Sequence, residues 1–274
     1  MLTRHRWSKA LGARGRFNLR LGAALVGIVS AAVGTAVALA ANANAPAFGR
    51  TAEDDAQIAK SLATMLRAGR TVISRNQERI NDPNIGDKGL DAKTVLVEAI
   101  KLYQQSTESD PIATLPQSLH GKLIRMEMDS IVEVMDVHQE TINRQSVGFK
   151  GFIPAVFGRL VSEAFGRRAA SIAEMKVTAP PQLIRNPKVR PDPWELDAIQ
   201  QRLMSASWPK DQFYTAMTVK NGVEAQRTLF PEYYGASCLA CHGSPKGEID
   251  ITGFPKEGAS EGDLGGIISV TLFR

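Results

Sequence analysis

Two cysteines and a histidine stand within five residues, Cys238-Leu239-Ala240-Cys241-His242, with Gly243 next. Those two are the only cysteines in the chain. A C-x-x-C-H run is an attachment site for a c-type haem. The spacing serves that chemistry. Two thiols three residues apart can each add to one vinyl group of a porphyrin, and the next histidine offers an imidazole nitrogen to the iron. The competing readings are a thiol–disulfide pair and half of a zinc site. Zinc asks for four closely spaced ligands, and no second cysteine pair exists. A thioredoxin-like pair follows a strand in a βαβ unit, which is not the pattern before Cys238.

The second axial position has fewer candidates. Besides His242 and the N-terminal His5, only His120 and His138 remain. His138 lies among Val134, Met135 and Val137, so it reads either as a core-facing structural histidine or as a ligand. His120 sits beside Gly121 near a helix start and reads as solvated. Arg185, Lys188 and Arg190 cluster in a Pro-rich stretch. Arg185 is the candidate partner of a haem propionate, because a guanidinium matches a carboxylate in bidentate geometry. The alternative is a solvated loop charge. Trp194, Trp208, Tyr233 and Tyr234 read as haem walls or as plain core.

Covalent attachment makes sense outside the cytoplasm, and the N-terminus points there. Of the 33 Lys and Arg, six lie in residues 1–49 beside no acid, which leaves 27 against all 28 Asp and Glu. The basic pI is therefore a property of the leader. The remainder is near neutral and has no basic stripe to neutralise phosphates, which excludes nucleic acid as a partner. From Leu21 to Phe48 no residue is charged. A basic start, an apolar run over 21–41 and small residues at Ala41, Ala43 and Ala45 form a secretory signal over 1–45. The run is also long enough to be an uncleaved anchor in the inner membrane. Both readings export residues 46–274, to the periplasm, by the positive-inside rule.

The exported part divides by pattern. Residues 52–80 predict one long amphipathic helix capped by Thr51. Helices over 92–106, capped by Asp91, over 117–145, and over 153–167, begun by Pro154, follow. After about residue 170 the pattern changes. Ile172 to Thr178 predicts a strand, and five prolines between 180 and 193 predict an irregular stretch. Residues 194–205 read as helix. Asn221-Gly222 between 213–219 and 223–229 predicts a hairpin, because both residues tolerate positive φ. A Gly- and acid-rich loop, 244–263, and a strand over 266–272 close the chain. The expected class is α+β, a helical first half with a small antiparallel sheet after it.

Several short runs carry a family resemblance: Asn76-Gln77-Glu78-Arg79-Ile80-Asn81, Phe149 to Phe157, Arg185-Asn186-Pro187, Pro191 to Glu195, Cys238 to Gly243, and Gly262 to Val270. In this order and spacing they resemble the single-haem c-type proteins of PAS-like fold, a cyanobacterial Tll-type family once classed as a domain of unknown function and also found as a sensor module of histidine kinases. The resemblance covers about residues 52–274. It implies a PAS-like antiparallel sheet carrying one haem c, with long helices alongside. Members can use a cysteine thiolate as second iron ligand. Here both cysteines are needed for the thioethers, so that ligand is ruled out. The family's alternative ligand comes from the region of the first helix, which makes Met65 a further candidate beside core packing.

Two functions are compatible with these residues. One is an exported monohaem cytochrome passing single electrons to a partner protein. The other is a haem-based redox or gas sensor acting through a partner, since no output module follows the last strand. Enzyme activity is not expected. A peroxidase would need an open iron face with a distal acid–base residue and an arginine, and nothing points to that pair.

Overall fold

The computed structural model describes residues 49–113 and 117–274. The expected signal or anchor, residues 1–45, lies outside the described residues. Among the described residues no helix is long and apolar enough to cross a membrane.

The first helix, α1 (Ala52–Arg75), begins where its chemistry says it should. Thr51 Oγ1 accepts from the Asp54 amide at 3.0 Å, and the Thr51 amide donates to Asp54 Oδ2 at 2.9 Å. This reciprocal pair satisfies two donors that an open helix end would leave bare. The helix does not run to residue 80 as expected. Asn76 donates its side-chain amide to the Val72 carbonyl at 2.8 Å, and its backbone leaves the helix at φ −103, ψ 11. The short helix α2 (Gln77–Asn81) follows directly. A side chain able to bond local backbone competes with the helical ladder.

Helices α3 (Ala92–Thr107), α4 (Leu119–Asn143) and α5 (Pro154–Ala169) follow, with Asp91 and Ser118 as side-chain N-caps and Pro154 in the first turn. Buried Lys88 closes the loop before α3, donating to the Asp82 carbonyl at 2.5 Å and also to that of Ile85. Four strands, β1 (Ala173–Thr178), β2 (Tyr214–Lys220), β3 (Val223–Tyr233) and β4 (Leu264–Phe273), form one antiparallel sheet in the order β1-β4-β3-β2. The fold is thus α+β, as the sequence predicts.

Side chains alternate across the sheet, so each face packs a different layer. Met175, Phe230, Ile268, Val270 and Leu272 turn toward the helices and join Leu62, Leu66, Ile73, Ile131, Phe157 and Phe165 in the main core. Each such side chain fully buried stabilises the fold by about 1.5–3 kcal/mol before entropy is subtracted. Gly69 lets α1 approach α5 closely, since a Cβ there would lie 2.9 Å from the Phe157 ring. The opposite face packs Leu229 and Ile267 against Ala198, Ile199 and Leu203, from α6 (Pro193–Ala198) and the π-turn Ile199–Leu203 that follows it. Arg227 lies over the Trp194 ring at 4.3 Å and pairs with Asp192 at 2.5 Å and with buried Glu195 at 3.2 Å.

Asn221 and Gly222 take φ of 54 and 80 and close the β2–β3 hairpin as predicted. Strand β3 is four residues longer than the sequence suggests. Pro231 is tolerated because β3 has outrun β2 there: Tyr214, the first residue of β2, already pairs with Leu229. The Pro231 carbonyl accepts from Arg67 Nη2 at 3.2 Å, so this position asks for no hydrogen bond from a second strand.

Candidate functional site

The C-x-x-C-H turn sits in the excursion between the two central strands. Tyr233 at the end of β3 pairs with Leu264 at the start of β4. Between them the chain makes a 3-10 turn, Ala236–Cys238, and one turn of helix, α7 (Leu239–His242). Helical spacing puts positions i, i+3 and i+4 on one side, so Cys238, Cys241 and His242 share a face. Gly243 ends the turn, and nothing larger fits: a Cβ there would stand 2.6 Å from the Leu239 carbonyl oxygen.

Both cysteines are free thiols and half-buried. Burial, then the nearby Asp250 carboxylate, pushes the Cys241 thiol above its ordinary pKa. Those surroundings disfavour a thiolate, hence a redox nucleophile. They suit a neutral thioether. Among the described residues no group of three or more His, Cys, Asp or Glu is arranged to hold a metal ion by itself.

His242 is held from one side. Its Nδ1 lies 2.8 Å from Glu257 Oε2 and 3.3 Å from the Tyr234 hydroxyl. The Tyr234 ring stacks on the imidazole at 4.8 Å and 23°. The carboxylate can only accept, so Nδ1–H is the donor of this bond, and Nε2 is the ring nitrogen left for an iron. Burial, then the Glu257 charge, holds the Tyr234 phenol up at about 12, so it stays protonated. Tyr234 is itself pinned, because Gly265 has no side chain: a Cβ there would lie 2.4 Å from its ring.

Arg185 builds the floor of the site. Its Nε and Nη2 grip Glu257 Oε1 and Oε2, each at 3.0 Å. Nη1 donates to Asp250 Oδ2 at 2.6 Å and to Thr252 Oγ1 at 3.2 Å. Nη2 also donates to the Cys241 carbonyl at 3.0 Å. All five donors of the guanidinium therefore have protein partners. Burial opposes charge on Asp250, but hydrogen bonds from Thr252 and Arg185 outweigh it and hold the carboxyl well below its usual range. Main-chain bonds add to the support: the Ala259 amide reaches the His242 carbonyl at 2.8 Å, and the Gly258 amide reaches that of Gly243 at 3.2 Å.

The sequence left Arg185 as either a propionate partner or a solvated loop charge; the structure places it half-buried under the turn, donating to the Cys241 carbonyl. Lys188 and Arg190 are exposed. Of the four aromatic candidates, Tyr234 touches His242. Trp194 and Trp208 pack on Tyr214, and Tyr233 lies under Lys210. Met65 is fully buried in the main core. On α1 the Ser74 hydroxyl lies 3.4 Å from that of Ser237, next to the motif, and nine residues of helix separate Ser74 from Met65, about 14 Å of rise. His138 is half-buried; its Nδ1–H donates to the Val134 carbonyl at 2.8 Å and its ring meets Phe152 at 5.2 Å. Val137, read as apolar core beside it, is 69% exposed. His120 is half-buried rather than solvated, with Nε2 buried and unpartnered, and burial lowers its pKa.

Glu257, Asp250 and Thr252 are the residues that sequence reasoning missed. They lie in a loop with no periodicity, where chain distance from a histidine says nothing about spatial distance.

The residues fit a haem. Two half-buried free thiols share a face with an imidazole whose Nδ1 is tied to a carboxylate and whose Nε2 is left for a ligand. A cleft of about 610 Å³ elsewhere, lined by α5, β1 and β4 residues such as Arg159, Glu174 and Thr271, does not include the motif. No curated protein and no solved structure matches the chain. The Tll0287-like family profile matches residues 50–272, and with most of its length so matched the chain belongs to the Tll0287-like family.

Proposed function

We propose that this chain is an exported monohaem c-type cytochrome-like protein that passes single electrons to a partner protein. Cys238 and Cys241 hold the haem through thioethers and His242 binds its iron through Nε2. When bound, the haem supplies a one-electron Fe(III)/Fe(II) couple. The observation that carries this reading is the orientation of His242, with Nδ1 tied to Glu257 and Nε2 free, on the face that carries both thiols. The leader over residues 1–45 supports export, where such attachment takes place.

The test is a spectrum of protein made with a working cytochrome maturation system. A pyridine haemochrome that resists acid–acetone extraction is expected. A colourless product, or one whose pigment is extracted, overturns the reading.

A second reading, a haem-based redox or gas sensor acting through a partner, draws on one feature. Strand β3 runs straight into the motif and is tied to α1 by Glu232, which pairs with Arg67 at 2.5 Å and Arg70 at 2.7 Å. A change at the iron therefore has a short route to α1. A ferrous form indifferent to carbon monoxide supports the carrier; ready binding, or ligand exchange on reduction, supports the sensor.

A further inference from the structure

We propose that Glu257 is the positioning residue that sets the electron-donating strength of His242, and that Arg185 limits how far it does so. The inference rests on the haem-binding reading above and goes beyond it, to what tunes the couple.

Three observations converge. Glu257 Oε2 is 2.8 Å from His242 Nδ1, a charge-assisted distance, whereas the Tyr234 hydroxyl at 3.3 Å is a weaker second neighbour. Both Glu257 oxygens are also gripped by Arg185, which fixes the plane of the carboxylate. The Tyr234 ring, pressed against Gly265, stacks on the imidazole and fixes its plane in turn. The Nδ1–H bond is thus directed from both ends.

A carboxylate that accepts from Nδ1–H gives the imidazole anionic character and raises its basicity as a ligand. A stronger donor on Nε2 favours ferric over ferrous iron and lowers the midpoint potential. Arg185 draws charge from the same carboxylate and opposes the effect. The arrangement predicts shifts of opposite sign for the two side chains. A purely structural role for Glu257, anchoring Arg185 beneath the turn, predicts a change in stability alone.

The experiment compares midpoint potentials of the wild-type haem-loaded chain, Glu257→Gln and Arg185→Gln by optical redox titration. Glu257→Gln keeps an acceptor but loses the charge. We expect it to shift the ferrous-to-ferric ratio at fixed potential at least tenfold toward ferrous, a rise of ~59 mV for one electron. Arg185→Gln is expected to shift it toward ferric. An unchanged potential in Glu257→Gln, with pigment covalently held, overturns the proposal. If that variant does not fold, Arg185→Gln decides, and an unmoved potential there overturns it.

The ring-nitrogen ¹⁵N signals of His242, read in the full chain made without haem, give a second measurement. A protonated Nδ1 and bare Nε2 in wild type, with Tyr234→Phe unchanged, support the proposal; a bare Nδ1 overturns it. This second readout works on colourless protein, so failure of the haem reading and failure of the Glu257 inference are told apart.

Discussion

Arg185 Nη2 donates to the main-chain carbonyl of Cys241 at 3.0 Å, bridging 56 residues of chain between the Pro-rich segment and the motif turn. The same guanidinium faces Asp250, whose side chain is wholly buried. Arg185→Ala therefore strips a buried carboxylate of its countercharge. Asp250 keeps its bonds from the Thr252 and Phe254 amides. The expected loss is on the order of 2–3 kcal/mol, read as a lower urea midpoint. Arg185→Lys recovers only part of it, because one ammonium cannot replace a planar fork. A midpoint equal to the parent's would remove the clamp from the account.

Gly265→Ala tests the Tyr234 stack without touching the motif. The new methyl would fall 2.4 Å from the Tyr234 ring, so the ring must leave its place beside His242. The haem-loaded variant is expected to keep its covalent pigment and show a changed Soret band and midpoint potential. A spectrum identical to wild type would mean that Tyr234 does not orient the imidazole.

Glu127 on α4 predicts an unusual pH response. Both its carboxyl oxygens are buried without a hydrogen-bond partner, and burial raises its pKa well above the ordinary value. In the unfolded chain it ionises near pH 4.3; in the fold it keeps its proton longer. The contribution of this group to stability is therefore fully present below that pH and is lost as pH rises toward the folded pKa, by about 1.4 kcal/mol per pH unit. Glu127→Gln removes that slope, and Glu127→Leu is expected to be more stable than wild type at pH 7. Denaturant midpoints between pH 4 and 8 check both; parallel curves for wild type and Glu127→Gln would refute it.

Replacing the motif residues separates attachment from ligation. Cys238→Ala with Cys241→Ala is expected to leave any pigment extractable by acid–acetone. His242→Ala keeps the thioethers and loses the imidazole, so the pigment stays attached while the ferric spectrum turns high-spin. Pigment still covalently bound in the double-alanine chain would place the attachment elsewhere.

Much of the fold is legible because it is local. Thr51, Asp91 and Pro154 mark helix starts through bonds or dihedral limits within one turn, and Asn221-Gly222 marks a hairpin through two positive φ values. The break at Asn76 escapes periodicity, since the apolar pattern continues across it in Ile80 while only one residue leaves the helical dihedrals. The extra length of β3 escapes for a different reason. Pro231 argues against a central strand, and only the register with β2 shows that the strand is an edge by then. In the site, the thiols and His242 are legible from spacing. Their supports, Arg185, Asp250 and Glu257, meet only through tertiary contacts, and the guanidinium's fork would match the loop carboxylates as well as any propionate.

The pairing of Tyr233 with Leu264 has an architectural consequence. Everything from Tyr234 to Asp263, motif and Glu257 included, is one long hairpin tip whose two stems are already neighbours. The sheet's register is therefore set on either side of this segment, and outside it the site draws on Arg185 and on Gly265, which leaves room for the Tyr234 ring.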